Sequence, residues 1–146
     1  MGVENTKFSE DLIKISFFDS IKNKIKKTVS GSRNSFILLD SGEVYVFGDN
    51  SEGQSTGLAT RYSTPTKLNF DFEENDKIVD IEVGHNHCFV TTQSKKLYSW
   101  GSASDGKLGN NETNQFSYFA KPVAKIIGKK VGVIYLGQSV SLITIN

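Results

Sequence analysis

The sequence has a single cysteine, Cys88, among 146 residues. No internal disulfide can form, so a secreted disulfide scaffold is excluded and an intracellular, reducing compartment is expected. Proline is scarce, with only Pro65 and Pro122, and there is one tryptophan, Trp100. No apolar run approaches the roughly 20 residues of a bilayer span, so no membrane insertion is expected. Residues 1–10 are polar and lack the apolar stretch of a signal peptide. Charge of one sign is also missing: 17 Lys plus Arg stand against 16 Asp plus Glu, a net charge of +1. That disfavours a protein built to hold nucleic acid by bulk charge. No long alanine- or leucine-rich stretch shows helical periodicity.

Glycine and aromatics are what the chain does have, with 13 Gly, 10 Phe and 11% aromatic residues. Together with many β-branched residues they point to short strands joined by tight turns. The glycines recur. Gly31, Gly84 and Gly137 are spaced by 53, as are Phe36, Phe89 and Leu142, and Ile25, Ile78 and Val131. Residues 25–57 laid on 78–110 without a gap share eight identities. They include Ser41/Ser94, Tyr45/Tyr98, Gly48/Gly101, Ser51/Ser104 and Gly53/Gly106. Six of the eight fall on glycines and apolar or aromatic positions, where backbone geometry and packing limit the choice of residue.

Each unit reads as strands. In the second, 78–83, 88–92 and 97–100 are rich in β-formers and separated by Gly84 and a polar turn. The first repeats this at 25–30, 36–39 and 44–47, with Asp40-Ser41-Gly42 as a hairpin turn. A fourth strand is expected after each Gly/Ser/Asn-rich loop, at 66–69 and 122–126, with its proline suiting a sheet edge. Two first strands of a third unit are expected at 131–136 and 140–145. Residues 12–18 occupy the offset of a fourth strand from a preceding unit; a short amphipathic helix over 9–18 is the alternative. The expected organisation is a polar extension at 1–11, a strand plus basic linker at 12–24, repeats at 25–77 and 78–130, and a partial repeat at 131–146.

A four-stranded unit of about 50 residues suits a β-propeller blade. A WD repeat is disfavoured because Trp100 is followed by glycine, and a kelch repeat because no Gly-Gly doublet precedes the tyrosine. Residues 78–109 resemble the RCC1 (regulator of chromosome condensation) repeat. Ile78, Gly84, His87, the run Leu97-Tyr98-Ser99-Trp100-Gly101 and Gly106-Lys107-Leu108-Gly109 carry the resemblance. Residues 25–57 match with drift: Asn34 takes the histidine position and Phe47 the tryptophan position. The expected fold is thus all-β, made of RCC1-like β-propeller blades of four-stranded antiparallel sheets, incomplete, an open arc of about two to three blades. The repeat signature is Gly31, Gly48, Gly53, Gly84, Gly101 and Gly106 with Tyr45, Tyr98, Phe47 and Trp100. Gly48 and Gly101 should need positive φ or a close backbone approach. The alternating aromatics 45/47 and 98/100 should share a face and pack between blades. A closed propeller of this family has about seven blades, so apolar faces are expected bare at both ends of the arc.

The only cluster of ligand-type side chains is His85-Asn86-His87-Cys88. The two histidines should lie on one strand face and Cys88 on the other, which prevents convergence on a metal. His87 is expected to make a structural hydrogen bond and Cys88 to be a small core residue. No nucleophile motif and no phosphate-binding G-K-[ST] occurs, so no catalytic residue, metal or cofactor is expected. Glu73-Glu74 reads as a solvated charge run. A basic segment (Lys22, Lys24, Lys26, Lys27, Arg33) and an acidic one (71–82) either solubilise strand edges or steer a partner.

The expected function is a non-enzymatic protein-protein interaction or scaffold module, part of a larger assembly whose other subunits complete or cap the propeller. Its binding residues would be loop side chains on a rigid frame: Arg33, Asn34, Asp49, Asn50, His85, Asn86, His87, Asp105 and Lys107. The resemblance implies two alternatives. One is guanine-nucleotide exchange on a small GTPase, with Arg33, Asn34, Asn86 and His87 facing it. The other is association with chromatin or nucleic acid.

Overall fold

The computed structural model describes Gly2 and residues 10–73, 76–126 and 128–145. Among these residues ten strands form three antiparallel sheets. The first sheet runs β1 (Ile25–Ser30), β2 (Asn34–Leu39), β3 (Val44–Asp49), β4 (Arg61–Lys67) in that order. The second repeats it as β5 (Ile78–Val83), β6 (His87–Thr92), β7 (Leu97–Ser102) and β8 (Phe116–Pro122). The third holds only β9 (Val131–Leu136) and β10 (Ser141–Ile145). The architecture is the all-β open arc of four-stranded blades expected from the repeat: two blades and a half-blade. β1 lies against β5 and β5 against β9, so the first strand of each blade faces the next.

Even the irregularities repeat. The register slips between Ile25 and Lys27 in β1 and between Ile78 and Asp80 in β5. It slips again between Val46 and Gly48 in β3 and between Ser99 and Gly101 in β7. Gly48 has φ +115° and Gly101 φ +101°. A Cβ on either would strike the carbonyl of Arg33 or Asn86, so both the torsion and the space require glycine.

The middle strands are apolar on both faces because each blade is packed on both sides. Phe36, Leu38, Val44 and Val46 of blade 1 meet Ile78, Ile81, Cys88, Val90, Tyr98 and Trp100 of blade 2. The other face of blade 2, with Phe89 and Leu97, meets Ile134 of the half-blade. Tyr98 and Trp100 therefore share one face, as their alternation requires.

Three expectations need correction. The fourth strands lie earlier than 66–69 and 122–126; residues 124–126 form a 3-10 turn instead. β4 is an outer edge strand with one wet face, so its sequence Arg-Tyr-Ser-Thr-Pro-Thr-Lys carries no apolar run. Pro65 sits inside β4 and Pro122 closes β8, not at strand starts. Residues 12–24 form neither a strand nor a helix over 9–18, although Ser9 lies outside the described residues. A 3-10 turn covers Ser16–Ser20. Ile15, Phe18 and Ile21 recur every three residues, the period of that turn. They pack on Ile37, Leu39 and Phe47, the outward face of blade 1. Among the described residues the outward face of blade 1 is therefore covered, where a bare face was expected. The half-blade exposes Val133, Tyr135 and Leu142 at 50%, 62% and 59%.

Candidate functional site

The connections that follow β1 and β5 and the loop after β3 meet at one end of the sheets. There they enclose a cleft of about 330 Å³ between blades 1 and 2. Ser32, Arg33, His85 and Asn86 come from the two short turns, Asp49 from the end of β3, and Glu52 and Gln54 from the loop after it. The turns are stitched together across the blade boundary. Ser32 donates its N–H to the His85 carbonyl (3.1 Å), and its hydroxyl contacts the same oxygen (3.0 Å) and Asn86 Oδ1 (2.8 Å). Asn86 Nδ2 donates to Glu52 Oε2 at 2.7 Å.

Beneath the cleft the frame is rigid. Gln54 Nε2 donates to Asp49 Oδ2 (3.0 Å), while the Glu52 N–H donates to Gln54 Oε1 (2.8 Å). The Gln54 carbonyl accepts from Trp100 Nε1 (3.1 Å) and Cys88 Sγ (3.2 Å) of the next blade. A loop of blade 1 is thereby bolted to the core of blade 2. Burial pushes the Cys88 thiol well up, so it stays protonated and inert.

The cleft mixes charge. Asp49 and Glu52 are half-buried, whereas Arg33 and His85 stand exposed. Arg33 forms no ion pair among the described residues. Such a surface can offer a bidentate donor and carboxylate acceptors to a partner. It holds no nucleophile paired with a base.

The structure divides the nine expected binding residues. It brings Arg33, Asp49, His85 and Asn86 together in the cleft. Asp105 and Lys107 lie in the equivalent loop of blade 2, outside it. Asn34, Asn50 and His87 are buried, and a partner-facing role for them is corrected. Asn34 Nδ2 donates to Ser55 Oγ (2.9 Å). Asn50 Nδ2 reaches the carbonyls of Thr56 (2.9 Å) and Ala59 (2.5 Å), while its Oδ1 accepts from the Ser55 N–H (2.6 Å). These are loop-closing bonds. Ser32, Glu52 and Gln54 join the cleft beyond that set. For Gln54 the signal was its place after Gly53 in a repeated loop.

His87 also works internally. Its Nε2 lies 2.9 Å from Ser141 Oγ, and that hydroxyl donates to the Lys107 carbonyl at 2.7 Å. The one hydroxyl hydrogen is thus committed, so Nε2 carries the ring proton. Nδ1 has no hydrogen-bond partner among the described residues. Burial, helped by the Lys107 charge, pushes His87 down to about 4, so the ring is neutral at pH 7. His85 lies in the turn before β6 rather than on a strand face with His87. Among the described residues no group of side chains could hold a metal ion.

The charged segments meet each other across the blade boundary. Lys27 pairs with Asp80 (2.9 Å) and with Glu82, and Lys26 Nζ donates to the Val79 carbonyl (2.6 Å). Glu73 pairs with Lys96 (2.5 Å) and Asp76 accepts from Ser94 Oγ (2.6 Å). Lys26, Lys27, Asp80 and Glu82 thus serve to hold the two blades together, while Glu73 and Asp76 tie the β4–β5 connection to the turn of blade 2. Glu74 lies outside the described residues.

Comparison with known proteins agrees with this architecture. The pattern of the family described as "Regulator of chromosome condensation (RCC1) repeat" matches residues 25–54 and 78–107, and a second pattern of the same description matches 41–91. The mouse (Mus musculus) secretion-regulating guanine nucleotide exchange factor is 33% identical over 81 residues, 56% of this chain and 18% of that protein. The human (Homo sapiens) E3 ubiquitin-protein ligase HERC2 is 29% identical over 119 residues, 81% of this chain and 2% of that protein. The chain thus spans a small part of these relatives. Among solved structures, human WBSCR16 superposes with a TM-score of 0.72 over 90% of this chain and 33% of its own, at 22% identity. Prp20p from Saccharomyces cerevisiae, studied for its binding to Gsp1p and histones, gives 0.70 over 81% and 30%, at 18% identity. At these identities the superpositions establish the fold.

Proposed function

The chain belongs to the RCC1 repeat family, and from that premise we propose that it is an intracellular, non-enzymatic protein-protein interaction module working through the cleft between blades 1 and 2. One observation carries the reading. The side chains of Arg33 and His85 are exposed and have no hydrogen-bond or ion-pair partner among the described residues, yet they stand on turns fixed to each other through Ser32 and Asn86. Preorganised polar groups lose little entropy on binding. The partner is a protein surface offering a carboxylate to Arg33 and donors to Asp49 and Glu52.

The test is affinity capture with the Arg33→Glu variant. Arg33 is exposed, so the fold should survive the change. The expected result is a specific partner that is lost with Arg33→Glu and kept with Asp105→Lys, which lies outside the cleft. A partner indifferent to Arg33→Glu contradicts the reading.

A second reading, guanine-nucleotide exchange, is favoured by the likeness to the secretion-regulating exchange factor. It would use the same cleft, in an assembly that supplies the remaining surface. Acceleration of GDP release from a small GTPase, lost with Arg33→Glu, would select it over the first.

A further inference from the structure

A larger hollow lies at the opposite end of blade 2, below the Gln93–Lys96 turn that joins β6 to β7. Its volume is about 490 Å³, within the range of ligand-binding clefts. Its floor is apolar: Leu97, Tyr98, Pro122, Val123 and Ile126. Its remaining lining is mostly basic: Lys95 and Lys96 from the turn, Lys129 and Lys130 from the connection between β8 and β9. Only Lys96 has an ion-pair partner among the described residues, Glu73. Lys95, Lys129 and Lys130 are exposed.

The chain contains a second version of this hollow, below the turn of blade 1. That one measures about 270 Å³ and is lined by Phe70 and Phe72, which stack at 5.0 Å. Phe70 packs on Trp100 (5.5 Å) and Phe72 on Tyr98 (4.3 Å). The connection from β4 to β5 thus furnishes its own aromatic filling. The connection from β8 to β9 has Lys125, Gly128, Lys129 and Lys130 instead. The turn changes in the same sense: Gly42 and Glu43 of blade 1 correspond to Lys95 and Lys96 of blade 2. The smaller hollow of blade 1 is lined by two phenylalanines and balances Glu43 and Asp76 against Lys67 and Lys77; the larger one of blade 2 sets four lysines against one acid, Glu73.

We propose that the hollow below blade 2 binds an acidic peptide segment of a partner protein, with one large apolar or aromatic side chain inserted between the lysines. The inserted side chain takes the part that Phe70 and Phe72 play in blade 1, and flanking carboxylates meet Lys95, Lys129 and Lys130. A bare polyanion suits the site less well, because the apolar floor gives a phosphate nothing to bond and Glu73 is part of the lining. This surface is separate from the Arg33 cleft, at the other end of β6.

The test is fluorescence polarisation on the whole chain with a labelled short peptide of Glu and Asp around a central Phe-Leu pair. Three further probes are the same peptide with Ser-Ser at its centre, an RNA oligomer of equal charge, and phosphatidylserine vesicles. The expected result is saturable binding that weakens at least about tenfold with the serine peptide or with the Lys95→Glu/Lys129→Glu/Lys130→Glu variant, and weakens with added salt. Arg33→Glu should leave it unchanged, which keeps this test apart from that of the upper cleft. The three lysines are exposed, and circular dichroism with a Gln-substituted triple variant checks that loss of binding is not loss of fold. Equal binding of the serine peptide, tighter binding of the RNA or the vesicles, or indifference to the triple variant would overturn the proposal.

Discussion

Blade 1 turns Ile37, Leu39 and Phe47 away from blade 2, and the chain covers them with Ile15, Phe18 and Ile21. The half-blade turns Val133, Tyr135 and Leu142 outward, and they stay at least half exposed. Leu142 stands where Phe36 and Phe89 stand in the preceding blades, and both of those are buried against a neighbour. On blade 1 a segment that is not itself a repeat covers the apolar face. Phe17, Phe18 and Tyr45 form an edge-to-face cluster there, with centroids 5.1–5.6 Å apart. The exposed face of the half-blade shows what that segment spares blade 1: an apolar sheet face in water.

The largest effect should come from the middle of the arc, against which both faces are measured. Trp100→Ala empties the space between blades 1 and 2 and leaves the Gln54 carbonyl with only the weak Cys88 thiol donor. Urea unfolding should register a loss of about 3–5 kcal/mol. A loss below about 1 kcal/mol would mean that the blades do not share a core.

Acid should loosen the boundary nearer the half-blade. His87 sits at about 4 in the fold and near 6.5 when unfolded. Between those values the unfolded chain takes up more protons, so stability is full above pH 6.5, falls as pH drops, and levels below pH 4. The loss reaches about 3 kcal/mol. His87→Asn, the residue that blade 1 has at this position, should flatten that slope in urea titrations at several pH values. An unchanged slope removes His87 as its source.

On the covered face of blade 1, Phe18→Ala should cost about 1–2 kcal/mol, since the ring is half-buried. On the exposed face of the half-blade, Leu142→Ser should stay within about 0.5 kcal/mol. It should also reduce any self-association seen by sedimentation velocity. Equal costs on the two faces would erase the distinction between them.

Much of the arc was legible because its constraints are local. Gly48 and Gly101 mark a torsion and a collision that no other residue tolerates. β5 and β9 show their strand pattern in Ile and Val. β4 was misplaced because an outer edge strand is wet on one face, and its polar residues resemble a loop. Residues 12–24 were misread because their apolar spacing of three serves a 3-10 turn, while a strand reading looks for two. Arg33, Asp49, His85 and Asn86 were legible as loop residues. Asn34, Asn50 and His87 sit in the same loops by sequence, and only the three-dimensional path shows that they point inward. The hollow below blade 2 was invisible for another reason: it depends on what one connection lacks relative to the other.

Hydrogen exchange on the whole chain at low protein concentration tests the central contrast most directly. Amides of β2 at 36–39, sealed on both faces, should exchange only through global unfolding. Those of β10 at 142–145 should exchange orders of magnitude faster. Protection of β10 equal to that of β2, in dilute monomer, would contradict the account of one covered face and one exposed face.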